Sequence, residues 1–326
     1  PDPVEITLPK GERPRFALAR TERGPGWARA GVVKDAGDDP DVTHGALVLA
    51  TVTPGAPGSG VSFRAGEGVG TVTKPGLPLA VGEPAINPAP RRMIAAAIAV
   101  VAAAHGGTGD VEVTIAIPGG EALARKTWNP RLGIVGGLSV LGTTGVVHPY
   151  SCAAWIASIH RGIDVCRANG VTHAAACTGS TSEAGVRRLY DLPDIAIIDM
   201  GDFAGGTLKY LRRHPIPRLT IAGGFAKMAK LAEGKLDLHS SRGEADRAAL
   251  AADLAALGAP PGAVAAARRA NTANETLAVA RRLGLPLADR VAARARDQAL
   301  AQVEGAAAIE VAVFDRAGTL VGRAGW

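Results

Sequence analysis

The stretch His173-Ala174-Ala175-Ala176-Cys177-Thr178-Gly179-Ser180 places a short, unbroken apolar run directly before a turn built from Thr, Gly and Ser. Ile195-Ala196-Ile197-Ile198-Asp199-Met200-Gly201-Asp202 repeats the arrangement, and Leu219 to Ala222 ends the same way at Gly223-Gly224. Between these runs, Ser182 to Tyr190 and Phe203 to Arg213 carry the spacing and composition of helices. Strands buried on both faces read as continuous apolar runs, and parallel strands need helical crossovers. The pattern therefore predicts βαβ units and a Rossmann-like doubly wound sheet, with ligands expected at the carboxyl ends of its strands.

Upstream, the apolar run Leu132 to Leu141 ends in Gly142-Thr143-Thr144-Gly145, and a helix is expected over Ser151 to Ala168. Downstream, residues 244 to 305 are Ala-rich and helical, and Ile309 to Val321 reads as a strand pair around Asp315-Arg316-Ala317-Gly318. The chain up to about Lys126 differs: Val4 to Leu8, Phe16 to Arg20, Ala46 to Val52 and Val111 to Ile117 are short extended runs around one helix, Arg91 to Ala104. That part predicts an α+β domain with a mixed sheet. A chain of 326 residues exceeds what one core usually serves, so two domains are expected, 1–127 and 128–326.

A net charge of +6 and a pI near 9.5 suggest an anionic partner. Aromatic residues make up only 4% of the chain and form no stacking array, so a small polyanion fits better than nucleic acid. Cys152, Cys166 and Cys177 lack both disulfide-framework and zinc spacing, and buried thiols in a reducing cytoplasm are expected. No apolar run approaches the roughly twenty residues that span a bilayer, and no signal peptide is visible, so a cytoplasmic protein without a membrane partner is expected. The chain opens at Pro1 without an initiator Met, and a preceding segment is expected.

Three polar loops stand out in the first part. Lys34-Asp35-Ala36-Gly37-Asp38-Asp39-Pro40-Asp41-Val42-Thr43-His44-Gly45 concentrates carboxylates beside a lysine and a histidine. The segments Gly66 to Gly76 and Gly82 to Arg91 follow, and together the three read as walls of a site. Arg91 and Arg92 occupy a helix start where the macrodipole favours acids, which points to a bound anion. In the second part, Gly and Thr at successive strand ends suit close backbone approach to a nucleotide-like cofactor, and Asp202 is placed to accept from ribose hydroxyls. Lys227, Lys230, Lys235 and His239 read as a basic cluster for carboxylate or phosphate groups. There is no Walker lysine motif and no clean G-x-G-x-x-G after a strand.

The loop Lys34 to Gly45, together with Gly68-Val69-Gly70-Thr71-Val72-Thr73, Gly82-Glu83-Pro84-Ala85-Ile86-Asn87-Pro88 and Asn129 to Gly145, resembles the cobalt-precorrin-5B C1-methyltransferases of cobalamin biosynthesis. The resemblance runs nearly the whole chain. Against the family pattern, the Thr-Thr-Gly-rich helix start is absent before Pro1, and Cys152-Ala153 replaces an acidic pair after Ser151, which speaks against catalysis there. The resemblance implies S-adenosylmethionine as methyl donor and an anionic tetrapyrrole as acceptor. Cobalt arrives with that substrate, so no protein metal site is expected.

On that basis Asp35, Asp38 and His44 are expected to act on the acceptor, and Gly142, Thr143, Thr144, Thr178, Gly179, Gly201 and Asp202 to hold the donor. Lys34, Asn87, Arg91, Arg131, Lys227 and His239 are expected to bind the acceptor, and a homo-oligomer is left open. Two alternatives remain at this point. One is a metal-dependent hydrolase or phosphotransferase using Asp35, Asp38, Asp39, Asp41 and His44; the other is a non-catalytic corrinoid carrier.

Overall fold

The computed structural model describes residues 3–142 and 144–326. They form two compact units, one running to Cys152 and the other from Ala153 to Trp326. In the first, β1 (Val4–Glu5) pairs with β2 (Arg15–Phe16) as a small ribbon. A five-stranded sheet follows from β3 (Arg20–Gly24), β4 (Trp27–Val33), β5 (Leu47–Pro54), β6 (Val61–Ala65) and, after further elements, β8 (Val111–Ala116). Next along the chain come β7 (Thr71–Val72) and α1 (Pro88–His105), then β8 (Val111–Ala116), α2 (Gly120–Ala124) and β9 (Ile134–Val135). The sheet order is β3-β4-β5-β8-β6, antiparallel except where β6 runs parallel to β8. This mixed sheet agrees with the α+β expectation. Prolines sit at the start of α1, where a missing N–H costs nothing, and Gly106 ends the helix in the left-handed region. Ile94 and Ile98, one turn apart, bring α1 onto the core of Val113, Ile115, Ile86 and Leu138.

The expected boundary after residue 127 moves to Cys152. The run Leu132 to Leu141 was expected to open the second domain, but it belongs to the first unit. Its β9 pairs with β7, while Leu138 bridges Val69 and Val140 bridges Ile86. Apolarity alone does not say which sheet a short strand joins, and here the partner is a neighbour from the same unit.

In the second unit, α3 (Cys152–Ala168), β10 (His173–Cys177), α4 (Ser180–Leu189), β11 (Ile197–Asp199), α5 (Ala204–Arg213), β12 (Arg218–Gly224) and α6 (Phe225–Ala232) alternate as the sequence predicts. Four further helices follow: α7 (Arg247–Ala256), α8 (Pro261–Arg269), α9 (Ala273–Arg282) and α10 (Leu287–Val303). The hairpin β13 (Ala308–Phe314) and β14 (Leu320–Ala324) closes the chain. The sheet order is β11-β10-β12-β13-β14, parallel except for the edge strand β14. Alternate side chains point to opposite faces. Ala175, Cys177, Ala222, Ala312 and Phe314 pack with Val186 and Leu189 of α4, and the alternate row Ala174, Ala176, Ile221, Val311 and Val313 is fully buried as well. Gly185 permits this closeness, because a Cβ there would lie 2.3 Å from the Phe314 ring.

The amino ends of these strands hold a polar network. Glu310 is wholly buried; its carboxylate accepts from Thr220 Oγ1 at 2.7 Å, Tyr190 Oη at 2.5 Å and Arg323 Nε at 2.6 Å. His173 Nε2 lies 2.8 Å from the Thr220 hydroxyl, with Tyr190 and Trp326 edge-on to its ring. Burial pushes the His173 imidazole below its ordinary value of 6.5, and the opposing pull of Glu310 does not restore it. A depressed imidazole is protonated later in the folded chain than in the unfolded one. Its contribution to stability is therefore complete above about pH 6.5 and declines as pH falls through that value. Urea midpoints measured between pH 7.5 and 5 should fall with acid, and His173→Gln should flatten the decline; an unchanged slope would remove His173 from the account.

Candidate active site

The chain leaves β10 for β11 on one side and returns to β12 on the other, so adjacent loops diverge at the carboxyl ends of β10 and β12. Open α/β sheets bind ligands where strand order reverses in this way. A cleft of about 320 Å³ lies there. Its lining includes Thr178 to Ser182 after β10, Gly224 to Lys227 after β12, Asn274 of α9, and Phe314, Asp315 and Arg316 at the end of β13. Gly179 and Gly224 are the N-caps of α4 and α6, and neither helix has a side-chain cap. The first amides of both helices are thus left to water or to a ligand. No atom stands within 4 Å of where a Cβ would sit on Gly179 or Gly224, so the space above both is open.

Lys227 ties the cleft together. Its Nζ donates to the Thr178 carbonyl at 3.1 Å and lies 2.9 Å from Asp202 Oδ1, joining the loops after β10, β11 and β12. The expected donor residues Thr178, Gly179 and Asp202 are thereby gathered, and Lys227, expected on the acceptor, stands with them. Gly201 turns at φ +56° beside the Trp155 ring, and its N–H donates to the Cys177 carbonyl at 3.2 Å.

Other expectations are corrected. Gly142 and Thr144 lie in the first unit, not at a strand end of this sheet, because the run before them pairs with β7. Thr144 Oγ1 bonds locally to Val146, and Thr143 lies outside the described residues. The basic cluster does not form: Lys230 is buried and donates to the carbonyls of Leu238 and His239, while Lys235 pairs with Glu233 at 2.8 Å. His239 caps its own short turn by accepting from the Ser241 N–H at 3.2 Å. Cys166 and Cys177 are buried as expected, whereas Cys152 is exposed; burial pushes the Cys166 thiol up to about 12.

Of the three expected walls in the first unit, two are packed backbone. The loop Gly66 to Gly70 crosses the chain at Ile117 to Gly120 and at Gly137: the Ile117 N–H donates to Glu67 O at 2.7 Å, and the Leu138 N–H to Gly68 O at 2.8 Å. Ala85 and Ile86 of the third loop are fully buried. Arg91 needs no external anion: it donates to Ile86 O at 2.7 Å and Pro84 O at 3.1 Å, and pairs with Glu83 at 2.8 Å. Asn87 contributes backbone, its N–H donating to Val140 O at 2.9 Å. Arg131 is partly buried.

The loop Lys34 to Gly45 is the most exposed of the three. Lys34 pairs with Asp41 and donates to Thr43 Oγ1 at 2.5 Å. Burial raises the Asp41 carboxyl, but Lys34 and Thr43 outweigh it and hold it below the usual carboxylate range. His44 Nδ1 accepts from the Ala36 N–H at 3.1 Å, Asp35 accepts from Gly37 N–H at 2.8 Å, and Asp39 accepts from Tyr150 N–H at 2.9 Å. Asp38 is exposed. The carboxylates turn to separate partners, and among the described residues no His, Cys, Asp and Glu group could hold a metal ion.

The fold defines an α/β protein with a cleft at the carboxyl ends of a largely parallel sheet. The sequence matches the family described as CbiD over residues 1–149 and the CbiD C-terminal domain over residues 237–325. Cobalt-precorrin-5B C(1)-methyltransferase of Paramagnetospirillum magneticum is 62% identical over 99% of this chain and 90% of its own length. The enzyme of that name from Rhodospirillum rubrum is 60% identical over 100% of this chain and 90% of its own. A crystal structure of the cobalamin biosynthesis protein (cbiD) from Archaeoglobus fulgidus is 25% identical over 74% of each chain, with a TM-score of 0.37. The chain belongs to the CbiD family. No helix among its described residues is long and apolar enough to cross a membrane.

Proposed function

We propose that the chain is an S-adenosylmethionine-dependent methyltransferase acting at C1 of cobalt-precorrin-5B, and that the cleft at the ends of β10 and β12 receives the donor. The observation that carries the donor assignment is the open space over Gly179 and Gly224 between two uncapped helix starts. Strand order β11-β10-β12-β13 supports reading the second unit as a Rossmann-like doubly wound domain. Bound there, S-adenosylmethionine supplies an electrophilic methyl group on a sulfonium. Thr178 and Gly179 give backbone approach, Asp202 offers a carboxylate for ribose hydroxyls, and Lys227 holds both loops in place. Methyl transfer asks mainly for alignment, and side chains already held by neighbours supply it at little entropic cost.

On the first unit, the exposed loop around Asp35, Asp38 and His44 orients the acceptor, and Asp38, free of the internal bonds that occupy Asp35, Asp39 and Asp41, takes up the proton released after methylation. The anionic tetrapyrrole brings its own cobalt. The test is single-turnover methyl transfer from labelled donor to cobalt-precorrin-5B. Wild-type protein should form the methylated product, and Asp38→Asn should slow transfer by about a hundredfold with donor binding unchanged. No methylated product from wild type would sink the activity, and tight binding of cobalt-precorrin-5B with no transfer of the labelled methyl group would favour a carrier. An unaltered rate in Asp38→Asn would remove Asp38 alone.

A further inference from the structure

We infer that Arg316 and Asn274 form a carboxylate-recognition corner of the cleft, so that the site selects ligands carrying an amino-acid tail. The inference rests on the donor assignment above and extends it to residues outside the strand-end loops.

Arg316 stands in the turn between β13 and β14, and that turn is held from several sides. Asp315 Oδ1 accepts from the Ala317 N–H at 3.0 Å and the Thr319 N–H at 2.9 Å, while Oδ2 accepts from Arg281 Nη1 at 3.3 Å. Arg188 donates to the Gly318 carbonyl, and the Gly318 N–H donates to Asp315 O at 3.0 Å. Arg316 therefore lines the cleft from a fixed base.

Lys227 is matched by Asp202 and Arg281 by Asp315, but Arg316 has no ion-pair partner among the described residues. Asn274 follows a helix start that is already satisfied: Thr272 Oγ1 accepts from the Glu275 N–H at 3.3 Å, and Glu275 accepts from the Asn271 N–H at 2.9 Å. Its amide, also lining the cleft, is spare. The positive ends of α4 and α6 face the same space. One uncompensated guanidinium, one free amide and two helix starts make an electropositive corner. It would repel the donor's sulfonium and receive its carboxylate, ideally as two parallel N–H···O bonds from the guanidinium.

Isothermal titration of the full chain with S-adenosylhomocysteine and with 5′-methylthioadenosine, which lacks the amino-acid tail, tests this. In wild type the tailed ligand should bind more tightly. Arg316→Met should weaken it about tenfold or more while changing 5′-methylthioadenosine less than about twofold, and Asn274→Ala should act in the same sense but less. Wild type that binds neither ligand refutes the donor assignment itself. Equal wild-type affinities, undiminished S-adenosylhomocysteine binding by Arg316→Met, or equal loss of both ligands overturns the corner while leaving the cleft. Inorganic phosphate binding more tightly than S-adenosylhomocysteine, and depending on Arg316, would overturn it in favour of a phosphorylated ligand.

Discussion

Gly224→Leu should abolish donor binding, by about a hundredfold or more, while the protein stays folded. Gly224 has φ −69° and ψ 152°, a conformation any L-residue adopts, and nothing lies within 4 Å of where its Cβ would stand. A leucine there meets no protein atom at its root and extends into the cleft. The stability cost is that of replacing an N-cap glycine by an apolar residue, about 1 kcal/mol. The cost to a ligand is far larger, because the side chain takes volume from a cleft of about 320 Å³. S-adenosylhomocysteine should raise the thermal midpoint of wild type by mass action and leave that of Gly224→Leu unmoved. If the variant still binds the ligand at wild-type strength, the donor lies elsewhere.

Gly68→Ala should unfold the first unit. Its φ is +71°, and the added Cβ would fall 1.9 Å from the Ile117 carbonyl oxygen and 2.8 Å from the Gly120 nitrogen. Both neighbours are backbone held by hydrogen bonds: the Ile117 N–H donates to Glu67 O, and the Gly120 N–H donates to Ile117 O. Neither can retreat as the tip of a side chain could. The left-handed conformation alone costs about 1 to 2 kcal/mol for a residue with a Cβ, and the collision takes the total beyond about 4 kcal/mol, among the most damaging single changes. Gly58→Ala is the control, since Gly58 has φ +79° with nothing within 4 Å. It carries the conformational cost without the collision, so its unfolding midpoint should fall by only a few degrees. Similar losses in both variants would mean that the crossing at Gly68 is not tightly packed.

The wall-like appearance of three Gly-rich loops in the sequence was a fair signal with two causes. Glycine is selected both where a ligand approaches backbone and where backbone approaches backbone, and composition does not distinguish them. The space over Gly224 and Gly179 is open, whereas backbone lies against Gly68. Arg91 is similar. Its place at a helix start against the macrodipole called for an anion, and the anion is Glu83, eight residues back, together with two carbonyls. Asn274 and Arg316 were not singled out as site residues. One sits in an ordinary helix start and the other in a hairpin turn, and only the packing of α9 and the parallel pairing of β13 beside β12 bring them to the cleft.

The amino-acid sequence by itself determined the alternation of strands and helices from His173 to Gly224, the Thr and Gly turns at the strand ends, and the family resemblance. Apolar period and turn chemistry are local properties of the chain. Tertiary structure alone decided that Leu132 to Leu141 joins the first unit, that Lys230, Lys235 and His239 are spent on their own neighbours, and that Lys227 meets Asp202 and Thr178. Those outcomes depend on which distant segments pair and which charges find partners, and pairing is a property of the folded chain as a whole.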